Sequence, residues 1–384
     1  MNRRIKILQL QLDYNVKRHD FADLAEQIVL SFDRDRYEFV SAFLCGRPQA
    51  DEPASRAERS VYFDPTDGQL KGTRIMALRR LHHFCRDEQF DVVICHRFKP
   101  ISMMLWLNRW LRIPACIGIS HVMNDFERAQ RRMQVRMLAD RHWRFVGVSP
   151  AVRQALLDAR SGFTPDNTVA ITNAIDIERA EAAQLDRNRA RSELGLPEDA
   201  TVVGAIGRLV PVKGHAHLLR AFADVAPRFA SAQLVIIGEG RERTALEALI
   251  RQLGLAARVR LPGNIPDALR YMRAFDVFAM PSLREGLGLA LMEGMSGRLP
   301  VIGSDIPAMR DLVRGAGGTL VAPGDEPALA AALARWLGAS PDERESGGRI
   351  ASEYLQRNHS IADYRNAYRN LVDETLRLNL ERAA

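Results

Sequence analysis

The sequence predicts an α/β protein built from two doubly wound, parallel-sheet domains. Short apolar runs typical of buried strands alternate with helical patterns along most of the chain, as in parallel sheets covered by helices on both faces. The length of 384 residues exceeds what a single hydrophobic core usually serves. A second set of alternating units begins at Thr201, after a charged, helical stretch at residues 178–191. We therefore expect the first domain at residues 1–175 and the second at residues 176–360.

The first domain contains six apolar runs that predict strands. They lie at residues 5–12, 37–44, 91–96, 115–120, 145–149 and 169–172. A helix is predicted at about residues 20–31, whereas residues 48–59 are polar and contain proline, which predicts a variable surface loop. Ligands of doubly wound sheets bind at the carboxyl ends of the strands, so the residues that follow these strands are candidates for a site.

Two histidines stand just past predicted strand ends, at the rim where ligands bind. His96 closes the third strand, His121 follows the fourth, and Asp125 lies one helical turn beyond His121. A lone histidine is often structural, so position alone leaves a structural and a functional interpretation open.

In the second domain, strands are predicted at residues 202–207, 234–237, 259–261 and 276–280. The loop after the first of these strands carries Arg208 and Lys213. Two cations five residues apart on a strand-end loop suit a diphosphate, because they neutralise the charge that develops on such a leaving group.

The most informative stretch is residues 281–305, where a strand end leads into a loop carrying Glu285 and then into a helix bearing Glu293. Open amides at a glycine-rich helix N-terminus, together with the helix dipole, favour an anionic ligand. The two carboxylates should lie roughly 10 Å apart, beyond the roughly 5 Å of a retaining glycosidase pair, and each can accept hydroxyl groups. The pattern therefore suits a nucleotide sugar. A surface helix with solvated glutamates is the alternative, because short glycine motifs are weak evidence.

Several of these segments resemble the retaining glycosyltransferases of family 4. Glu285 and Glu293 match the E-x7-E signature of that family, Gly207 to Gly214 matches G-R-L-x-x-x-K-G, and His121 matches the histidine of an H-D-x-x segment. The resemblance implies the GT-B architecture, in which two Rossmann-like domains face each other. It also implies that the final helix, within residues 361–384, crosses back onto the first domain.

The resemblance also implies roles for single residues. His121 would contact the transferred sugar, Arg208 and Lys213 would stabilise the departing nucleotide diphosphate, and Glu285 would meet sugar hydroxyls. The donor-binding residues would be Gly207, Gly238, Asn264, Ile265, Gly286, Leu287, Gly288, Leu289 and Glu293, the last on the ribose. Residues on the acceptor side would be Lys17, His96, Arg97 and Lys99.

The chain departs from the family pattern at several places, among them Ala174, which stands for the glycine of an N-G-I-D link. Val122 replaces the aspartate after the histidine, and Gly294 follows the second glutamate where the family usually has a residue such as alanine. The first strand-end loop, residues 13–19, contains no glycine, although that loop is usually glycine-rich and approaches the donor diphosphate. In this chain, Lys17 or Arg18 of the same loop would provide the positive charge near the diphosphate.

The implied reaction moves a hexose from a nucleoside-diphosphate sugar, with a UDP-sugar favoured, to a hydroxyl of a glycan or lipid-linked acceptor. The anomeric configuration would be retained, and no cofactor or metal would be needed, because cationic side chains and helix amides do that work. Two alternatives stay open. One is a non-enzymatic nucleotide-sugar sensor, and the other is a nucleotide-sugar epimerase of the same architecture.

The uneven charge bears on the acceptor. Residues 1–175 carry 27 lysines and arginines against 20 acidic residues, whereas the rest of the chain is balanced at 27 each. The excess concentrates in helical stretches at residues 71–80, 98–112 and 128–144, which also carry apolar residues such as Trp106 and Trp110. Such helices can lie on an anionic bilayer or meet a phosphorylated acceptor, although a core role for the apolar residues is an alternative. No nucleic-acid reader motif is recognisable.

No apolar run is long enough for a membrane span and no signal-peptide core follows Met1, which predicts a cytoplasmic protein. With the basic first domain, this suggests a lipopolysaccharide-core or other cell-surface glycan acceptor at the inner membrane. The four cysteines lack C-x-x-C spacing and should be reduced core thiols. Residues 33–35 match the D-x-D metal motif formally, but they precede a strand and predict a solvated turn.

Overall fold

The computed structural model describes residues 3–14, 16, 23–50, 52–64 and 74–381. The chain divides into two compact units. The first comprises the described residues of Met1–Ala174 and of Ile361–Ala384, and the second is Ile175–Ser360. Each unit has one parallel sheet flanked by helices, which confirms the doubly wound α/β class that the alternating pattern predicts.

The sheet of the first unit has seven described strands in the order β3-β2-β1-β4-β5-β6-β7, and every neighbouring pair is parallel. The strands are β1 (Ile5–Asp13), β2 (Tyr37–Cys45), β3 (Arg59–Tyr62), β4 (Val92–His96), β5 (Ala115–Ser120), β6 (Trp143–Gly147) and β7 (Thr168–Ala170). The helices between them are α1 (Leu24–Val29), α2 (Ile75–Glu88), α3 (Phe98–Leu111), α4 (Ala129–Leu138) and α5 (Pro150–Asp158).

Successive residues of β1 point to opposite faces of this sheet. Ile7 belongs to a buried cluster on one face and Leu8 to the cluster on the other. Both side chains are fully buried. Since helices cover both faces, the central strands carry near-continuous apolar runs, which is the signal that made them predictable.

The prediction of a loop over residues 48–59 needs correction at its end. Arg59 begins β3, a four-residue edge strand that pairs with β2. The preceding segment is tied to the core, because the buried carboxylate of Glu26 accepts hydrogen bonds from Ser55 Oγ and from the Arg56 amide, at 2.9 and 2.5 Å. The edge position explains why this strand was not predicted, since its side chains are at most partly buried and its sequence contains no apolar run.

The sheet of the second unit has six strands in the order β10-β9-β8-β11-β12-β13, again all parallel. Its strands are β8 (Thr201–Ile206), β9 (Ala232–Ile237), β10 (Val259–Gly263), β11 (Val277–Met280), β12 (Val301–Ser304) and β13 (Thr319–Val321). The helices are α6 (Ile177–Ala183), α7 (Arg187–Glu193), α8 (His215–Val225), α9 (Arg243–Gln252), α10 (Leu289–Ser296), α11 (Arg310–Gly315), α12 (Glu326–Gly338) and α13 (Pro341–Asn358). Short 3-10 helices lie at Pro211–Lys213, Ala226–Arg228 and Ala268–Ala274.

The charged stretch at residues 178–191, predicted as one helix, forms parts of two. The chain breaks between α6 and α7, where the Leu185 amide donates to the carbonyl of Arg270 at 2.9 Å. Asp186 then caps α7 by accepting from the Arg189 amide. A tertiary hydrogen bond thus overrides the helical pattern at this point.

The last helix, α14 (Ile361–Glu381), packs on the first unit, as the resemblance implied. Tyr368 and Val372 are fully buried in the core of that unit. Asn379 donates to the carbonyl of Pro114 at 3.0 Å, and Arg365 donates through Nε to Gln27 Oε1 at 2.9 Å. None of the described helices combines the length and the apolar character needed to cross a membrane.

Candidate active site

The loops that follow four neighbouring strands of the second unit are held together by main-chain hydrogen bonds. These bonds run from Leu209 to Glu239, from Gly238 to Gly263, and from Leu283 to Val212, with N···O distances of 2.8–2.9 Å. The loops after β8, β9, β10 and β11 therefore form one rim at the carboxyl edge of the sheet, where doubly wound sheets bind ligands.

Two glycines allow this close approach. A Cβ on Gly238 would lie 2.0 Å from the carbonyl oxygen of Gly207, and one on Gly214 would lie 2.0 Å from that of Pro281. Both glycines have positive φ, +154° and +70°. A side chain at either position would push the loops apart, so the backbone of the rim requires glycine there.

Lys213 and Glu285 form an ion pair across this rim. Lys213 Nζ lies 2.6 Å from Glu285 Oε1, and Ser282 Oγ donates to the same oxygen at 2.8 Å. Both charged side chains are largely buried, with 17% and 13% of their surface exposed. Lys213 follows β8 and Glu285 follows β11, the two adjacent strands between which the strand order reverses. This topological switch point is the usual ligand crevice of the fold.

Arg208, the other predicted cation, begins the loop after β8 and has an exposed side chain. This side chain makes no hydrogen bond or ion pair with any residue that the structure describes. Its guanidinium is therefore available to an anion, whereas Lys213 is held in place by a carboxylate.

The predicted phosphate cradle lies at the start of α10. Gly288 caps this helix with φ +99° and without a side-chain hydrogen bond. Leu287 and Gly288 are buried, Leu289 opens the helix, and Glu293 is half-buried one turn further on. Main-chain amides in the first turn of such a helix lack helical partners and attract anions.

The residues predicted to read the donor base also lie on the rim. Asn264 and Ile265 come directly after β10, with Asn264 exposed and Ile265 half-buried. The bond from the Gly238 amide to Gly263 holds this segment beside the loop after β9.

His215 is a residue that the sequence analysis did not single out. It opens α8, two positions after Lys213, and is 5% exposed. Neither ring nitrogen has a hydrogen-bond partner in the described residues. Burial, with a further contribution from Lys213, lowers the pKa of His215 to about 4. The signal in the sequence was a histidine placed directly after the glycine that starts a helix.

We expect His215 to make the second unit acid-sensitive. Its pKa is about 4 when folded and about 6.5 when unfolded, so the unfolded chain binds the extra proton and stability falls as the pH drops through this window. His215→Gln should remove about 2 kcal/mol of the loss in unfolding free energy between pH 7 and pH 5, measured by urea titration. His83→Gln, at an exposed position, is the control. An unchanged pH dependence in His215→Gln would contradict this account.

In the first unit, the side chains of His121, His96 and Gln9 form a row of three hydrogen-bonding partners, with His96 in the middle. His96 Nδ1 lies 3.2 Å from His121 Nε2, and His96 Nε2 lies 3.2 Å from Gln9 Oε1. The amide nitrogen of Gln9 donates to the carbonyl of Ala25, so its oxygen accepts from His96 Nε2–H. His96 Nδ1 then accepts from His121 Nε2–H, which leaves Nδ1 of His121 as the nitrogen for a ligand.

Both histidines are neutral at neutral pH. Burial, with a smaller contribution from Arg97, lowers the pKa of His121 to about 4. Burial likewise holds the pKa of His96 well below its ordinary value. A neutral His121 can accept a hydrogen bond from a hydroxyl group, whereas His96 is a buried support for it. Gln9, which completes the chain from the middle of β1, was not predicted.

The other predicted acceptor-side residues are less closely associated. Arg97 is exposed and caps α3 with φ +69°, and Lys99 is half-buried in the first turn of that helix. The Asp125 carboxylate accepts from Ser120 Oγ at 2.8 Å and is attracted by Arg97 without forming an ion pair with it. Lys17 and Arg18 lie outside the described residues.

Within the described residues, no group of three or more histidine, cysteine, aspartate or glutamate side chains is arranged to hold a metal ion. The D-x-D match lies in a turn before β2, where Asp33 Oδ1 accepts from the Asp35 amide at 3.0 Å.

Two known families match this chain. Residues 32–179 match the family described as "Glycosyltransferase Family 4". Residues 186–352 match "Glycosyl transferases group 1". The second match contains the complete rim of the second unit, from Gly207 to Glu293.

Curated relatives agree with these matches. A phosphatidyl-myo-inositol mannosyltransferase of Mycobacterium leprae (strain TN) is 31% identical over 268 residues, which are 67% of this chain and 67% of the relative. The lipopolysaccharide core biosynthesis glycosyltransferase LpsD of Rhizobium meliloti (strain 1021) is 36% identical over 185 residues, 48% of this chain and 52% of the relative. For two of the relatives, the chain spans about half of their length, 44% and 52%.

Among solved structures, Anabaena HepE in complex with UDP-glucose has a TM-score of 0.76 with this chain. The likeness covers 97% of this chain and 100% of HepE at 20% sequence identity. At this identity the comparison concerns the fold, which the two proteins share over almost their full length.

Proposed function

This chain is a glycosyltransferase of family 4 with the GT-B fold, and we propose that it transfers a hexose from a nucleoside-diphosphate sugar to a hydroxyl group of a glycan or glycolipid. In this proposal the donor is a UDP-sugar, the anomeric configuration is retained, and no metal ion or other cofactor takes part.

The observation that carries the proposal is the pair formed by Lys213 and Glu285 at the switch point of the second sheet. Their 2.6 Å contact places a cation and a sugar-hydroxyl acceptor side by side. The start of α10, at Leu289, has no side-chain cap and lies four residues after Glu285 in the chain. A cation, open amides and a carboxylate together suit a diphosphate joined to a sugar.

In the proposed reaction, the bond between the sugar C1 and the diphosphate oxygen breaks while the acceptor oxygen bonds to C1 on the same face. The acceptor proton passes to an oxygen of the leaving phosphate. Arg208, Lys213 and the amides of Gly286 to Leu289 stabilise the charge that develops on the diphosphate. Glu285 accepts hydrogen bonds from sugar hydroxyls, and Glu293 accepts them from the ribose.

His121 is proposed to contact the transferred sugar. Because its ring is neutral, this contact is a hydrogen bond accepted by Nδ1 and not a charge interaction. Preference for UDP is supported by the UDP-glucose bound to Anabaena HepE, whose fold this chain shares. The segment at Asn264 and Ile265 would read the base.

The proposed acceptor belongs to the lipopolysaccharide core or another cell-surface glycan, assembled at the cytoplasmic face of the inner membrane. The relative LpsD is named for lipopolysaccharide core biosynthesis. The excess positive charge in residues 1–175 suits a phosphorylated or lipid-linked acceptor and peripheral contact with an anionic membrane surface.

A donor screen tests the proposal. We expect one of UDP-glucose, UDP-N-acetylglucosamine, UDP-galactose and GDP-mannose to raise the unfolding temperature most, because a ligand at 100 times its Kd adds about 2.7 kcal/mol of stability. That donor should be slowly hydrolysed in the presence of EDTA by the wild type and far more slowly by Glu285→Ala. An isomerised nucleotide sugar would instead indicate an epimerase. Binding without hydrolysis in either protein would indicate a sensor, and no stabilisation by any donor would overturn the proposal.

A further inference from the structure

A cavity of about 370 Å³ opens between α2, α3 and α4 of the first unit. It contains none of the residues assigned to the donor or to the transferred sugar. Three arginines line it, Arg74 at the start of α2 and Arg128 and Arg131 at the start of α4. Phe98 and Trp106 of α3 form an aromatic wall.

Two polar side chains that line this cavity, Ser102 and Gln134, already have hydrogen-bond partners in the protein. Ser102 Oγ donates to Gln134 Oε1 at 2.8 Å, and Gln134 Nε2 donates to the carbonyl of Ser102 at 2.7 Å. Arg131 lies over the Phe98 ring, 4.1 Å from its centroid, which fixes the direction of its guanidinium. The arginine cluster is therefore preorganised.

Acidic side chains of the described residues neutralise this cluster only in part. None of the three arginines forms an ion pair with a residue of the described ranges. The Asp125 carboxylate accepts from Ser120 Oγ and attracts Arg131 without forming an ion pair with it, whereas the Asp125 main-chain carbonyl accepts from Arg131 Nη1 at 2.7 Å. The Nε of Arg74 is buried without a partner among the described residues. Burial lowers the pKa of Arg131, and the neighbouring Arg128 lowers it further, so the positive charges repel one another.

The surface beside the cavity is apolar and basic. Trp106 is 44% exposed and Trp110, one turn further along α3, is 67% exposed. On α4, Met133 and Met137 are 51% and 59% exposed, also one turn apart. Residues 97–136 contain eight lysines and arginines against two acidic residues. Exposed tryptophans beside arginines are typical of surfaces that enter the headgroup region of a bilayer.

We propose that the cavity lined by Arg74, Arg128 and Arg131 binds the phosphate of an anionic lipid headgroup while Trp106 and Trp110 enter the bilayer surface. The inference rests on the proposed membrane placement of this glycosyltransferase and not on its donor chemistry. Guanidinium groups bind phosphate oxygens through paired hydrogen bonds, and three of them line this cavity without an ion pair to any carboxylate of the described residues. The tryptophans explain why the phosphate comes from a lipid, because a soluble phosphate would not need apolar side chains at the mouth of its site.

The test uses the full chain and sedimentation with vesicles of phosphatidylcholine, with or without phosphatidylglycerol. Arg74→Gln/Arg128→Gln is compared with Arg79→Gln/Arg80→Gln, which removes two exposed arginines from α2 outside the cavity. General attraction to an anionic surface weakens by a similar factor in both pairs. We expect the cavity pair to bind phosphatidylglycerol vesicles roughly tenfold more weakly than the control pair at physiological salt. Donor hydrolysis should be unchanged in both.

Each other outcome overturns the inference. Equal losses in the two pairs would mean that only general charge attraction operates. Stabilisation of the wild type by millimolar inorganic phosphate, together with equal vesicle binding by the two pairs, would assign the cavity to a soluble phosphate. If the wild type does not bind phosphatidylglycerol vesicles even at low salt, the proposed membrane placement is wrong as well. The donor assays would still decide the transferase proposal. If the double variant does not fold, Arg128→Gln alone, at an exposed position, replaces it.

Discussion

Replacing Lys213 by glutamine is expected to lower kcat for sugar transfer by roughly 10²–10³-fold. The ammonium group lies at the switch point of the second sheet, held by Glu285 at 2.6 Å. Charge on the departing diphosphate grows as the sugar leaves, so a fixed cation there stabilises the transition state more than the bound donor. KM for the donor should therefore change less than kcat.

The double variant provides a sharper measurement. Lys213→Gln and Glu285→Gln each break the same buried pair, so their effects on kcat/KM should not add, and the double variant should lose less than the product of the two single losses. Arg251→Gln, which removes an exposed cation from α9 of the same unit, should retain wild-type kcat. Additive effects, or a Lys213→Gln enzyme as active as Arg251→Gln, would contradict a shared role in catalysis.

Replacing Arg191 by methionine is expected to lower the free energy of unfolding by about 3–5 kcal/mol. Arg191 is 1% exposed, and its Nη2 lies 2.9 Å from Asp276 Oδ2, itself on a side chain only 9% exposed. Its guanidinium also donates to the carbonyls of Ala274 and Pro197, at 3.1 and 3.2 Å. It donates to the carbonyl of Glu198 as well, so methionine fills much of the volume but leaves the Asp276 charge and three carbonyls without this partner.

Arg187 supplies a matched control. It binds the other oxygen of Asp276, at 2.6 Å, but is 46% exposed. Arg187→Gln should therefore cost no more than about 1 kcal/mol in the same urea-unfolding measurement, because solvent screens an exposed pair. Equal losses for Arg187→Gln and Arg191→Met would show that burial of the pair does not determine its contribution.

Local patterns in the sequence were sufficient to predict the fold class and most of the strands. The apolar runs predicted strands near their observed places, and the short motifs placed Arg208, Lys213, Glu285 and Glu293 after particular strands or on a particular helix. A motif describes residues that are close in the chain, so these assignments required no knowledge of the strand order. The alternation of strands and helices was likewise sufficient for the doubly wound class.

Elements that depend on contacts between residues distant in the chain were harder to predict from the sequence. The edge strand β3 is too short and too exposed to produce an apolar pattern. The stretch at residues 178–191 is helical by composition, and only the bond from Leu185 to the Arg270 carbonyl interrupts it. Gly294, a departure from the family pattern, has a packing cause, since a Cβ there would lie 2.6 Å from Cγ of Phe278.

The sequence by itself determined which loops carry the polar side chains of the candidate site. Only the tertiary structure decided which of those side chains touch. Lys213 meets Glu285 because β8 and β11 are neighbours in the sheet, although the two residues are 72 positions apart in the chain. His96 reaches both Gln9 and His121 because β4 lies between β1 and β5. Strand order follows from the packing of whole helices and strands, a long-range property that no short stretch of residues contains.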